Sequence, residues 1–292
     1  MGCIQIKKIL DRKAILIKNS TGKTCPQRLY SISSLDDYIS ISLLGTGKYS
    51  EVIKSLYRPT NEYRALKIIS KEHCSSFYLN ELIIAQNLNH PNILKSYEML
   101  EDKNSFYLSS LYCEGGNLAK RAKNQSFTES EIAFIIFQVF SGLAHCHENN
   151  VIHRDLKLEN ILLEKNEGLS LKLADFGLAC FIGGKDAEGV CGTPAYMAPE
   201  IFANSYNEKI DMWSAGVVLF VLSKNQFPLK CRKSEKKLRP DFSTLNLNVP
   251  TSSVLNQELE DLIQGLLEID PEKRLSAKEA LNSSWLKSNI SI

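Results

Sequence analysis

Within about two dozen residues the chain carries His153-Arg154-Asp155-Leu156-Lys157-Leu158-Glu159-Asn160 and then Asp175-Phe176-Gly177. Asp155 offers a base, Lys157 a cation, and Asn160 with Asp175 two oxygen ligands for a metal. Leu171-Lys172-Leu173-Ala174 reads as a strand running into Asp175. A fold that serves these groups must bring both stretches to one place. The chemistry they suit is phosphoryl transfer, in which an enzyme mainly positions reactants and neutralises charge.

Length and composition set the bounds. The 292 residues suffice for one large domain or two modest lobes, and 43% hydrophobic with 23% charged residues is ordinary for a globular protein. A formal net charge of +2 gives no reason to expect nucleic acid as a partner. Eight cysteines are scattered without a Cys-x-x-Cys pair, so neither a zinc site nor a disulfide framework is indicated, and a reducing, cytoplasmic location is expected. The longest apolar runs, Ile132–Ala144 and Trp213–Leu222, are too short to span a bilayer and read as buried core helices. The first residues carry several charges and do not form a secretory signal. Gly2 and Cys3 are candidate acylation sites beside Lys7 and Lys8, which would give peripheral membrane contact. Ile6 stands where the acylation pattern wants Ser or Thr, and an inert terminus is the preferred reading. The protein is expected to be a monomer.

The order of elements is informative. Residues 1–37 form an extension, partly Ser/Thr-rich. From Tyr38 a strand-rich pattern follows: Tyr38–Leu44, Val52–Tyr57, Tyr63–Ile69, then Ile93–Met99 and Ser105–Leu111, with one helix over Ser76–Leu88. After Gly115-Gly116 helical spacing dominates, over Glu129–Glu148, Tyr206–Leu222, Gln257–Leu267 and Ala277–Leu286. Ile161–Leu163 and Leu171–Leu173 interrupt it as short strands.

The two charged motifs, this order of lobes and several further motifs resemble the eukaryotic protein kinases over about Tyr38–Leu286. The similarity is to serine/threonine kinases of the calcium/calmodulin-dependent group, as a catalytic domain without calcium-binding loops. It implies an α+β, bilobal fold: a five-stranded antiparallel N-lobe with one main helix, residues 38–111, a hinge at 111–116, and a mainly helical C-lobe, residues 117–286, before a short tail at 287–292. It also implies ATP and Mg²⁺ as cofactors and proteins bearing Ser or Thr as substrates. A pseudokinase, or a nucleotide-binding scaffold without transfer activity, is the alternative.

The resemblance assigns residues. Gly45-Thr46-Gly47-Lys48-Tyr49-Ser50-Glu51-Val52, with Leu44 before it, lies between the first two strands. Glycines there let backbone amides approach phosphate oxygens, although by itself such a stretch is equally a plain hairpin. Ser50 replaces the third glycine of the usual pattern. Ala65-Leu66-Lys67 places Lys67 on the third strand to hold the α- and β-phosphates, with Glu81 on the next helix as its partner. Ser110, Leu111, Cys113 and Leu162 complete the nucleotide-binding set. Asp155 is the base that orients or accepts the substrate hydroxyl's proton. Lys157 stabilises charge on the transferred group and is the serine/threonine type of residue. Asn160 and Asp175 bind metal.

Structural roles are implied as well: Thr193 bridges to the catalytic loop, Glu200 pairs with Arg274, and Asp211 ties down the loop's backbone. Arg154 is the residue that in such kinases often awaits a phosphate on the activation loop. Cys180–Val190 contains no Ser, Thr or Tyr, so a carboxylate, Asp186 or Glu188, is expected to pair with Arg154 instead. Ser110, Ala85 and Ser96 are small where relatives pack larger groups, which implies space behind the adenine site. Asn117 replaces the glutamate by which relatives favour upstream arginine, leaving Glu159 to meet a basic residue. The basic run Lys230–Arg239 reads as a solvated loop, with a docking surface as the alternative. No Asp-x-Asp-x-Asp-Gly calcium loop occurs in these residues.

Overall fold

A computed structural model describes residues 15–18, 24–27, 34–47, 50–73, 83, 84, 87–183, 186–203, 205–234, 237–247 and 257–290. The chain divides into two compact units, Met1–Asn89 with Leu94–Cys113, and His90–Ile93 with Glu114–Ile292. Gly2, Cys3, Lys48, Tyr49, Glu81 and Ala85 lie outside the described residues, as does most of the helix expected over Ser76–Leu88. Residues 83, 84 and 87 of that stretch are helical, and Ile84 is fully buried.

The first unit opens with a two-stranded antiparallel ribbon, β1 (Ile15–Lys18) and β2 (Thr24–Gln27). Ser34 then caps a short turn at Leu35–Asp37 reciprocally with Asp37, which starts β3 (Tyr38–Thr46). Strands β4 (Ser50–Tyr57), β5 (Glu62–Ser70), β6 (Ser96–Glu101) and β7 (Ser105–Leu111) complete one antiparallel sheet in the order β3-β4-β5-β7-β6. The strand expected from Ile93 begins at Ser96. Ile93 belongs to the second unit, where it bridges Leu173.

Inside the sheet a polar knot replaces part of the apolar core. Arg64 and Glu98 are both buried and pair at 3.2 Å. The Tyr38 hydroxyl donates to Glu98 and accepts from Arg64 Nη1 at 3.0 Å. The guanidinium lies between the rings of Tyr57 (3.6 Å) and Tyr97 (4.2 Å), a cation–π sandwich that offsets its desolvation. Burial, then the bond to Glu98, pushes the Tyr38 hydroxyl up to about 12 from an ordinary 10. A phenol raised in this way contributes stability that is fully present below pH 10 and is lost as pH rises through about 12. Urea midpoints should therefore fall between those limits in the wild type and fall less in Tyr38→Phe. Equal slopes would contradict this.

The second unit is built on helices α1 (Leu118–Asn124), α2 (Glu129–Glu148), α3 (Lys209–Lys224), α4 (Gln257–Leu266), α5 (Ala277–Leu281) and α6 (Ser284–Asn289). Thr128 and Glu131 cap α2 reciprocally, and α2 buries Ile135, Ile136, Val139 and Phe140. From Ile210 to Phe220 every residue of α3 is buried, as expected of a helix apolar on all sides, so it forms the axis of this unit. The single helix expected over Ala277–Leu286 is two. Ser283 caps a new helix, its Oγ accepting from Leu286 N, and that restarts the chain after Asn282.

Two short pairs frame the charged motifs: β8 (Val151–Ile152) with β11 (Cys180–Phe181), and β9 (Ile161–Leu163) with β10 (Leu171–Leu173). The basic run expected as a loop is an antiparallel hairpin, β12 (Lys230–Ser234) and β13 (Lys237–Asp241). Among the described residues no helix is long and apolar enough to cross a membrane.

Candidate active site

The loop from His153 to Asn160 leaves the buried strand β8 and returns into the buried strand β9, so its apolar ends are fixed while its charges stay between them. Asp211 on α3 holds its start. That carboxylate is fully buried and accepts from the amides of His153 (2.8 Å) and Arg154 (2.9 Å) and from His147 Nε2 (3.0 Å). Burial alone pushes the Asp211 carboxyl up. The hydrogen bond and charge of His147, with His153, outweigh it and hold the group below the usual aspartate value. His153 Nδ1 accepts from the Asp155 amide, which leaves Nε2–H to donate to Ala174 O at 3.1 Å. Ala174 N in turn donates to Asn160 O at 2.9 Å, tying the second motif to the first.

The reactive side chains then converge. Asp155 Oδ1 accepts from Thr193 Oγ1 at 2.7 Å, and Asp155 Oδ2 accepts from Lys157 Nζ at 2.6 Å. Lys157 Nζ also donates to Thr193 Oγ1 at 2.8 Å, closing a triangle. Asn160 Nδ2 donates to the Asp155 carbonyl at 2.8 Å and to its carboxylate at 3.2 Å, so the amide oxygen is the end turned to other partners. Arg154 (φ 65°) and Asp175 (φ 62°) both adopt the left-handed region, a conformation that costs non-glycine residues about 1–3 kcal/mol each and gathers at functional sites. The neighbouring Gly192 has φ +110°, and a Cβ there would stand 2.7 Å from the Arg154 carbonyl. Phe176 is buried with its ring 4.7 Å from that of His153. A groove of about 830 Å³ opens beside Glu159, lined among others by Phe127, Leu158, Tyr196, Val221 and Phe227.

Arg154 departs from expectation. Among the described residues it pairs with neither Asp186 nor Glu188. Asp186 instead accepts from Ser205 Oγ at 2.7 Å. The guanidinium donates to the carbonyls of Leu178 and Glu188 and, at 3.4 Å, to the hydroxyl of Tyr206. Tyr206 also donates to Gly189 O at 2.6 Å, and its backbone pairs with Ala187 in both directions. One tyrosine thus binds the segment through side chain and backbone. Sequence reasoning missed both Tyr206 and His147, because neither sits in a recognisable motif.

The first unit presents the other described residues of the predicted nucleotide set except Leu162, which lies on β9 of the second unit. Across β4 and β5, Val52 faces both Gly45 and Lys67, so the glycine turn and the lysine share a register line. Gly47 N donates to Ser50 O at 2.7 Å and closes the hairpin. A Cβ on Gly45 would meet nothing within 4 Å, so packing does not demand glycine there. Ala65 pairs with Ser110, and Leu111 with Arg64. Ser110 is buried, its Oγ 3.4 Å from Ala65 O, and Ser96 lies opposite it on β6.

A model of the protein kinase domain matches residues 38–286. The chain belongs to the protein kinase domain family. Within it, this kinase domain is 37% identical over 262 residues to calcium-dependent protein kinase 4 of Plasmodium falciparum, covering 86% of this chain and 50% of that protein. It is 34% identical over 277 residues to the mouse serine/threonine-protein kinase DCLK3, covering 91% of this chain and 35% of that protein. The chain therefore spans half or less of the length of these relatives. Members of the family generally use ATP and Mg²⁺.

The donor set fits that ion. Asn160 and Asp175 supply oxygens, which hard Mg²⁺ prefers. Among the described residues no cluster of three His, Cys, Asp or Glu side chains could hold a metal. Few protein ligands, with phosphates and water completing the shell, is the usual arrangement for Mg²⁺.

Proposed function

We propose that the chain is an ATP-dependent serine/threonine protein kinase. The observation that carries this reading is the convergence of Thr193, Lys157 and Asn160 on Asp155. Asp155 orients the incoming hydroxyl and takes its proton. Lys157, already within 2.6 Å of that carboxylate, neutralises charge as it builds on the transferred group. Asn160 and Asp175 would hold Mg²⁺, which supplies charge neutralisation across the phosphates when bound. Lys67 holds the α- and β-phosphates, with Glu81 as its partner on the following helix. The turn at Gly45 and Thr46, closed by Gly47, brings backbone close to the phosphates, while Leu44, Val52, Ala65, Ser110, Leu111, Cys113 and Leu162 line the base site. Nothing favours a pseudokinase, since every side chain the transfer needs is present in the sequence. The free thiols of Cys146, Cys180, Cys191 and Cys231 accord with a reducing, cytoplasmic setting. The reading is tested on a degenerate library of Ser, Thr and Tyr peptides with MgATP. Phosphoserine and phosphothreonine are expected. Phosphotyrosine alone, or no transfer by folded protein that binds MgATP, would refute it.

Two further outcomes follow from this reading. Because carbonyls and Tyr206 already serve Arg154, phosphatase treatment of the purified enzyme should leave kcat unchanged, whereas Tyr206→Phe should lower it several-fold. Abolition of activity by the phosphatase would show that a phosphate is needed after all. Because Ser110 and Ser96 are short, adenine-site inhibitors with a bulky substituent should bind, and Ser110→Met should weaken them about tenfold or more, ~1.4 kcal/mol, with little change in KM for ATP. Equal inhibition of both proteins would remove the cavity from the account.

A further inference from the structure

The hairpin of β12 and β13 has no task in phosphoryl transfer, yet it is the most highly charged element of the second unit. Residues 230–241 carry Lys230, Arg232, Lys233, Lys236, Lys237 and Arg239 against Glu235 and Asp241, a local charge of +4 in a chain whose total is +2. Its register explains why sequence and structure disagree about it. Among the described side chains, Lys230 faces Asp241 and Arg232 faces Arg239 on one side of the ribbon, while Cys231 faces Pro240 on the other. Cys231 packs against the core, so the ribbon has an inner side and a basic outer side.

Two features of that outer side point to a ligand. The first is the arginine pair. Like charges directly opposite in an antiparallel ladder destabilise it, and here Arg232 and Arg239 are opposite and both exposed. Arg232, its side chain 74% exposed, reaches Asp241, and Arg239 lies 5.7 Å from the Phe202 ring. One carboxylate therefore stands against several cations. The second is position. Both strands pack against the short turn Pro194–Tyr196, which follows directly on Thr193, the residue hydrogen-bonded to Asp155 and Lys157. The basic side is thus anchored to the segment that touches the transfer residues.

We propose that this hairpin is a docking surface for an acidic segment of the protein substrate, engaged through Arg232 and Arg239. The word substrate rests on the kinase reading; the docking of an acidic peptide does not. Attachment beside Thr193 favours a segment of the molecule being phosphorylated over an anionic lipid surface, which would need no such neighbour. Exposed charges contribute little singly, but several acting together, unscreened at low salt, give a measurable preference.

The test uses fluorescent serine peptides of one length, with a cluster of Asp and Glu, of Ala or of Lys on either side of the serine. Binding is read by anisotropy at low and high salt, and phosphorylation by KM and kcat. For the wild type we expect the acidic peptide to bind about tenfold more tightly than the alanine peptide on one side of the serine, less so at high salt. Arg232→Glu with Arg239→Glu should reverse the preference through KM, with kcat on the alanine peptide unchanged. Arg232→Gln with Arg239→Gln serves if the reversal impairs folding, and should abolish the preference. Equal binding of acidic and alanine peptides overturns the proposal, as does a preference that survives both pairs of substitutions. Arginine-dependent binding to phosphatidylserine vesicles without any peptide preference also overturns it, in favour of a membrane. Arginine-dependent binding of acidic peptide with no phosphorylation of any peptide upholds the docking surface and refutes the kinase reading.

Discussion

Asp155→Asn is expected to lower kcat about 10²–10⁴-fold, the usual contribution of a positioned general base, while KM for ATP changes little. The loss corresponds to ~3–5 kcal/mol of transition-state stabilisation. Asparagine has nearly the same shape, and its amide oxygen still accepts from Thr193, which now lies 2.7 Å from Asp155 Oδ1. It cannot accept the proton, and it breaks the ion pair with Lys157 at Oδ2. Folding should survive, because the loop is held by Asp211 through the amides of His153 and Arg154 rather than by Asp155. Kinetic constants with a peptide substrate, alongside thermal melts of both proteins, check both halves. A variant with more than a third of wild-type kcat would remove Asp155 from the chemistry.

Arg274→Met should have the largest effect on stability. The guanidinium is 1% exposed and makes a two-pronged pair with Glu200, whose second oxygen it meets at 3.0 Å. It also donates to the carbonyls of Lys209 (2.9 Å), Glu268 (2.9 Å) and Ile269 (3.3 Å), and lies 5.2 Å from the Trp213 ring. Methionine refills much of the volume but leaves Glu200 and three carbonyls without their donor. Removing one partner of a buried pair costs about 3–5 kcal/mol, so Tm should fall by about 10 °C for a domain of this size. Glu200→Gln combined with Arg274→Met should be less damaging than the sum of the single changes, since the unpaired charge is then gone. Calorimetry of the three variants decides it, and a shift of Tm within about 2 °C for Arg274→Met would contradict the account.

How much of this was legible in the sequence depended on periodicity. The central strands and α2 were, because apolar spacing and the Thr128/Glu131 cap mark their ends locally. The site residues were named from their motifs, and the bonds from Asp211, Thr193 and Arg274 were implied by the same resemblance. What escaped depends on neighbours brought in by chain reversal. Nothing near Arg154 announces Tyr206, which arrives through its backbone pairing with Ala187 and takes the place expected of Asp186 or Glu188. The β12–β13 hairpin escaped because, among the described side chains, its inner side offers only Cys231 and Pro240, too few apolar groups to show alternation in a run with six cations. The break before α6 turns on one serine cap within an otherwise helical run.

The central claim is that this chain transfers the terminal phosphoryl group of ATP to a hydroxyl. It is tested most directly by incubating wild type and Lys67→Met with a serine peptide, Mg²⁺ and ATP labelled at either the α or the γ phosphorus. The account predicts label on peptide serine from the γ position alone, with almost none from Lys67→Met. Peptide labelled equally by both proteins, or no label from wild type that binds MgATP, would contradict it.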